Sequence, residues 1–286
     1  MEHVTRSAYF SALQSCMVRG GVYKWLPYTT LNEKFNVLPG EYPPAAVYPT
    51  LGFIAIGRGG LKMGVDADGE PFPDIGQHRS DDAALFNAMP IVLRLIDDDL
   101  PIGRRGNYAM RQRLNIKGSD YWAYWLKRHD FSQADSDLFL KTVLENGEVR
   151  VDPFVPSQEN LNPVRVDLSE SGSNILKGQS IISSTLITIP LDAFDINEIR
   201  NASKIIKGTD GKANVSEIAI CTGALKQILA PGQSGTFPFM EGIGVQIAST
   251  IKALYPLDYI NQALTDQLEL GISEPLFKFE GNPTPT

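Results

Sequence analysis

Three short stretches carry residue types that bind ions or do acid–base work, and their spacing decides what each can do. In Gly57-Arg58-Gly59-Gly60-Leu61-Lys62-Met63-Gly64 the glycines let backbone N–H groups come close to an anion. A nucleotide loop needs G-x-x-x-x-G-K-[ST], or G-x-G-x-x-G opening a helix, and here Asp66, Asp68 and Gly69 follow with no helical pattern. A turn or hairpin is the reading that fits. Asp66-Ala67-Asp68-Gly69-Glu70 gathers three carboxylates as a calcium loop does, but its glycine falls fourth rather than sixth and the twelfth position is Gln77. Asp and Gly are ordinary turn residues, so Asp66, Asp68 and Glu70 are read as a polar hairpin tip. Asp97-Asp98-Asp99, with no His or Cys beside it, reads as a solvated turn.

His3, His78 and His129 are the three histidines, and none has a second ligand at i+2, i+3 or i+4. There is no G-x-S-x-G elbow. The chain is therefore not expected to be an enzyme, and neither a cofactor nor a metal is expected. Cys16 and Cys221 are too few for a disulfide framework and read as buried small apolar residues in a reducing compartment.

Aromatic residues are the remaining candidates for contact. Tyr121, Trp122, Tyr124 and Trp125 occupy four of five positions beside Lys127 and Arg128, more than one helix face can hide. Tyr and Trp are enriched in interfaces, so Tyr121, Trp122 and Trp125 are interface candidates. Between Trp25 and Tyr48 the prolines forbid a long helix while Trp25, Tyr28, Phe35, Tyr42 and Tyr48 must be covered. That segment wraps either its own core or a neighbouring subunit. The neighbour is the favoured reading, with Trp25, Tyr28 and Tyr42 as anchors.

The elements that would hold these residues follow from periodicity. His3 to Val18 has helical spacing with a stop at Gly20 and Gly21. Leu51 to Gly57 is short, apolar and bounded by Pro49 and glycines, hence a buried strand. Asp81 to Ile96 reads either as a helix broken at Pro90 or as a strand from Ile91 to Ile96. Ser119 and Ser132 read as N-caps of helices over Asp120 to His129 and Gln133 to Leu144, the second closed by Gly147.

Past Val155, β-branched and small polar residues dominate. Val164–Leu168, Ser180–Ile189, Val215–Cys221, Gly242–Ala248 and Leu276–Phe279 read as strands, with a helix at Phe194 to Ile206 and a further short helix within Ser249 to Ala253 and Leu257 to Leu270. The expectation is an α+β fold: a mixed helical and irregular domain over 1–150, then a mainly antiparallel β domain, sandwich or barrel, over 151–286 with a Pro/Thr tail.

Charge narrows the partners. Lys plus Arg number 26 against 33 Asp plus Glu, a net charge of −7, so the surface as a whole repels polyanions and nucleic acid is not expected as a partner. The basic run Arg104, Arg105, Arg111, Arg113, Lys117, Lys127 and Arg128 reads as a solvated face or the footprint of an acidic partner. No stretch approaches the roughly 18 apolar residues of a membrane helix, and no basic start followed by an apolar run marks an export leader.

Ser183 to Ile199, continuing to Val215 through Gly223, resembles segments of tailed-bacteriophage virion proteins of the baseplate, neck or tail, and Tyr48 to Gly57 fits the same pattern. The resemblance implies a structural subunit made in the host cytoplasm, residing in the virion, oligomeric in the particle, and binding other virion subunits without a cofactor. The competing class is a carbohydrate-binding module or an enzyme with a site around Trp122 and Trp125.

Overall fold

The computed structural model describes residues 3–25, 30–144, 146–158, 175–208, 213–256 and 264–277. The chain divides into two compact units, one built from residues 1–131 and 190–265, the other from 132–189 and 266–286. The larger unit is thus interrupted by the smaller rather than followed by it. The expected border near 150 falls inside the insertion.

Antiparallel strands dominate both units. In the larger, β1 (His3–Arg6), β2 (Thr50–Gly57), β5 (Ala88–Met89), β6 (Val92–Leu95), β7 (Tyr108–Ile116), β8 (Ser119–Arg128), β12 (Asn214–Gly232) and β13 (Gly235–Pro256) form one sheet. Its order is β1-β13-β12-β2-β8-β6, with β5 added to β2 and β7 to the other edge of β8. A separate hairpin joins β3 (Leu61–Val65) to β4 (Pro71–Ile75), with Asp66 to Glu70 at its tip. Helices α1 (Ala8–Val18) and α2 (Leu31–Phe35) pack on β13, α3 (Ile102–Arg105) is a single turn, and α4 (Ala193–Lys207) lies on β6. In the smaller unit β9 (Ser136–Val143), β10 (Val149–Pro153), β11 (Ile175–Leu191) and β14 (Leu264–Phe277) make a four-stranded sheet in the order β10-β9-β11-β14. Among the described residues no helix is long and apolar enough to cross a membrane.

The mainly β reading of the second half extends to the first, which holds little helix. Asp120 to His129 and Gln133 to Leu144 are strands, not helices. The physical reason lies in the turns. Lys117 and Gly118 both have positive φ, 52° and 86°, and Ile116 faces Ser119, the geometry of a two-residue hairpin turn whose twist matches antiparallel strands. Between β9 and β10 the Leu144 N–H donates to the Glu148 carbonyl and Gly147 takes φ 84°, a longer hairpin turn with glycine at its left-handed position, so Gly147 closes a hairpin and not a helix. Covered on both faces, β8 buries every residue from Trp122 to Leu126, and such a strand shows no alternation to read. Ser249 to Ala253, expected as helix, is the continuation of β13, and Leu264 to Leu270 lies in β14.

Other elements match their signals. Asp192 and Asp195 form a reciprocal capping box at the start of α4, and Gly208 ends it in the left-handed region. The N-terminal helix starts at Ala8 behind the Ser7 cap, because His3–Arg6 pairs with β13. From Asp81 to Ile96 the strand alternative holds, as β6. The strand expected at Val164–Leu168 and the residues after Phe277 lie outside the described residues.

Candidate functional site

The glycine-rich turn after β2 does receive an anion, and the anion belongs to this chain. Glu217, on β12, is fully buried, and its Oε2 accepts the Gly59 and Asn87 N–H groups at 2.8 and 3.1 Å. Its Oε1 accepts the Phe86 N–H at 3.0 Å and faces His78 Nε2 at 3.0 Å. Gly60 N–H donates to the neighbouring Ser216 Oγ. Glycine is required here by contact: a Cβ at 57 or 59 would collide with the Glu217 carboxylate or with residues 86–87, and one at 60 with the Ser216 carbonyl oxygen.

His78 extends the cluster. Its Nδ1 lies 2.8 Å from Asp82 Oδ2, which also accepts the Arg79 N–H. Each ring nitrogen thus faces a carboxylate oxygen. These hydrogen bonds outweigh burial and hold the Glu217 and Asp82 carboxyls below the usual carboxylate range. The ring stacks on Phe86, centroids 4.2 Å apart, and Lys252 Nζ stands 3.9 Å above the same Phe86. Glu217 thus accepts three backbone N–H groups and faces His78 Nε2, so that both its oxygens are engaged by the protein.

A second buried centre is built from the basic run. Asp99, expected in a solvated acidic turn, is buried: it accepts Arg111 Nη2 at 2.6 Å and the Tyr124 hydroxyl at 2.7 Å, with Arg105 at 3.3 Å. Arg111 also donates to the Pro231 carbonyl at 2.7 Å, and its guanidinium carbon stands over Trp122, 3.4 Å from the ring centroid. Lys127 pairs with Asp195, which takes the Tyr108 hydroxyl at 3.0 Å, while Arg104 covers Phe194. The run is therefore only in part a solvated face: Arg105, Arg111 and Lys127 hold the buried carboxylates of Asp99 and Asp195, whereas Arg104, Arg113 and Lys117 are exposed, Arg113 paired with Asp120.

Near Arg111 sits one carboxyl of opposite character. Glu241 on β13 is buried, takes the Arg111 backbone N–H, and has no partner for Oε1 among the described residues. Burial pushes it up to about 8 against the opposing charge of Arg111.

The aromatic candidates are drawn into the fold. Trp122 and Trp125 are 9% and 8% exposed, Trp125 stacked on Phe35 at 4.2 Å. Tyr121 is half-buried. Trp25 stacks on Tyr42, centroids 5.4 Å apart, and its ring edge covers Gly244 of β13, where φ is +57°. Tyr48 donates to the Gly21 carbonyl at 2.5 Å. The Pro-rich segment thus covers its own sheet, because a side chain at 244 is absent and the indole fills the space. Tyr28 lies outside the described residues.

Family DUF7208, described as a family of unknown function, has a model that matches residues 1–283. The chain belongs to that family. No curated protein and no solved structure matches it.

In the larger unit of this DUF7208 chain the described residues include a cleft of about 620 Å³ lined by Tyr48, Gly52, Asn107, Arg128, His129 and Ala224 among others. Arg128 donates to the Gly106 carbonyl at 3.0 Å, and burial with the nearby Lys127 charge lowers His129, so its ring is neutral at pH 7. Among the described residues no three His, Cys, Asp or Glu side chains gather as metal donors. At the β3–β4 tip Asp66 Oδ1 accepts the Asp68 and Glu70 N–H groups, which makes it the polar turn that its composition indicates. Cys16 and Cys221 are both free and buried, and burial pushes the Cys221 thiol up.

Sequence reasoning missed the Glu217 centre because its members lie 139 positions apart. The available signal was Gly57, Gly59 and Gly60 just after a buried strand, which mark a close backbone approach to something.

Proposed function

We propose that this chain is a structural subunit of a tailed-phage particle, in the tail, baseplate or neck, acting through protein–protein contacts rather than catalysis. The observation that carries the reading is where the polar chemistry is placed. The Glu217–His78 and Asp99–Arg111–Tyr124 groups are buried in the larger unit and hydrogen-bonded within their own chain. A catalytic acid or base must instead face a substrate. Outward, the strands of the smaller unit expose Val143, Val149, Val151 and Leu186 among charged residues, and exposed apolar groups on strands favour protein contacts. The carbohydrate or enzyme reading would need free ring faces at Trp122 and Trp125, and those faces lie against Arg111 and Phe35.

Mass spectrometry of gradient-purified intact particles from cells expressing the gene tests this. A stoichiometric amount of the chain in particles is the expected result. Its presence in the cell lysate but absence from particles overturns the proposal.

A further inference from the structure

Strand β10 reads Val149-Arg150-Val151-Asp152-Pro153, apolar and charged residues in alternation. It is the terminal strand of the four-stranded sheet, and among the described residues nothing pairs with its outer side. The bonds that flank it fix its polarity. Leu144 N–H donates to the Glu148 carbonyl and Phe154 N–H to the Leu138 carbonyl, so even-numbered residues direct their backbone groups to β9. Odd-numbered residues then direct theirs away from the sheet: the N–H groups of Val149 and Val151, and the carbonyls of Val149, Val151 and Pro153. Pro153, which has no N–H, stands at a position that asks no donor of it within this chain.

The side chains are arranged to match a copy of themselves. Lay a second β10 antiparallel along the open side with a two-fold axis at Val151. Val151 then opposes Val151, Val149 opposes Pro153, and Arg150 of each copy opposes Asp152 of the other. Both charge pairs are complementary, and both occupy non-hydrogen-bonded positions, where opposed side chains are closest. In the single chain Arg150 has no such cross-strand partner and turns instead to Asp152 two residues on, 2.7 Å away and largely exposed. On the other face Val149 and Val151 are 52% and 53% exposed and Val143, the cross-strand neighbour of Val149, is 40% exposed. The same pairing sets these valines beside those of the second copy as one apolar strip. The outward N–H and carbonyl groups of Val149 and Val151 are the groups through which a strand can be added to such an edge.

We propose that β10 is the surface by which two copies of this chain associate, antiparallel across a two-fold axis at Val151, joining two four-stranded sheets into one of eight strands. The pairing makes four new backbone hydrogen bonds: two exchanged between the Val151 residues, and one from each Val149 N–H to the opposed Pro153 carbonyl. The proposal specifies one contact of the assembly role put forward above, but its test uses no particles. A monomeric chain that still enters particles overturns the edge pairing alone, and a dimer absent from particles overturns the assembly role alone.

Sedimentation equilibrium on the purified full chain over a concentration series reads the association directly. The wild type is expected to dimerise. Val151→Pro removes an outward N–H and leaves the bonds to β9 intact, and is expected to be monomeric. Arg150→Asp and Asp152→Arg each set like charges opposite one another and weaken association roughly tenfold. Mixed one to one, those two variants restore complementarity and form a heterodimer, and the double variant Arg150→Asp/Asp152→Arg self-associates again. A wild type that stays monomeric overturns the proposal, as does a charge-swap pair with no preference for the mixed dimer.

Discussion

From Val215 to Gly223, β12 is buried without a break, whereas β9 and β10 contain no buried residue at all. The two units thus solve the problem of charged residues on strands in opposite ways. The larger takes Glu217, Asp99, Asp195, Arg111 and Lys252 out of water and must satisfy each of them internally. The smaller leaves Arg150, Asp152, Asp137 and Lys141 at least partly in water, where their pairing matters little. Removing one partner therefore does different damage in each, since an uncompensated buried charge costs several kcal/mol and a solvated one almost nothing.

The largest effect follows from Glu217. Replacing it with Ala strands three backbone N–H groups and the buried side of His78 at once, and the expected loss is on the order of 3–5 kcal/mol. Urea unfolding followed by tryptophan fluorescence reads it, since all three tryptophans lie in the larger unit. A loss below about 1 kcal/mol would mean that the site relaxes or admits water, and the contrast between units would fail.

Glu241 gives the next effect, and it is one of pH. Its carboxyl is raised by burial from an ordinary 4.5 to about 8, so between those values the folded chain holds a proton that the unfolded chain has lost. Stability contributed by the neutral carboxyl is complete at low pH and falls as pH rises through this window. Glu217 and Asp82 act with the opposite sign, their lowered carboxyls losing stability only as pH falls below the usual carboxylate range. Between pH 5.5 and 8.5 the wild type should therefore lose on the order of 3 kcal/mol, and Glu241→Gln should flatten that slope. An unchanged slope in the variant would place the titration elsewhere.

How much of this was legible depends on whether a residue's role is local. The α4 cap and stop, the buried strand at Leu51 to Gly57 and the polar tip at Asp66 to Glu70 are set by neighbours within a few positions, and the sequence pattern locates them. The β7–β8 and β9–β10 hairpins were also written locally, in Lys117-Gly118 and Asn146-Gly147, but serines placed like N-caps and aromatics at helical spacing suggest helices there. Tertiary cover decides between the two, because β8 is enclosed on both faces and loses its alternation. The candidate centre was not legible. Glu217 meets His78 only after β12 is laid beside β2, and Asp99 meets Arg111 across a turn whose acids look solvated.

A smaller and more local effect tests the glycine account. A Cβ at Gly60 would overlap the Ser216 carbonyl oxygen, and backbone cannot rotate away as a side chain can. Gly60→Ala should cost about 2 kcal/mol, in the range of core overpacking. Gly118→Ala has open space around its Cβ but a φ of +86°, so it is strained by conformation alone and should cost less, about 1 kcal/mol. If the two variants unfold at the same urea concentration, crowding around Glu217 is not what requires glycine there.

The smallest effect sharpens the comparison from the other side. Arg150 and Asp152 have side chains 70% and 40% exposed, and their ion pair lies along one strand with no buried partner. Water solvates either group if the other is lost, and holding two long side chains in one geometry offsets the Coulomb gain. Arg150→Gln should therefore change the stability of the chain by less than about 0.5 kcal/mol, measured at a protein concentration low enough to keep it monomeric. Repeating the measurement at high concentration adds the dimer contact, and there the same substitution should lower the apparent stability further because it removes two cross-strand pairs at once. A loss above about 1 kcal/mol in the dilute monomer would mean that the pair is shielded by the chain itself, which would contradict both the solvated character of the smaller unit and the open edge at β10.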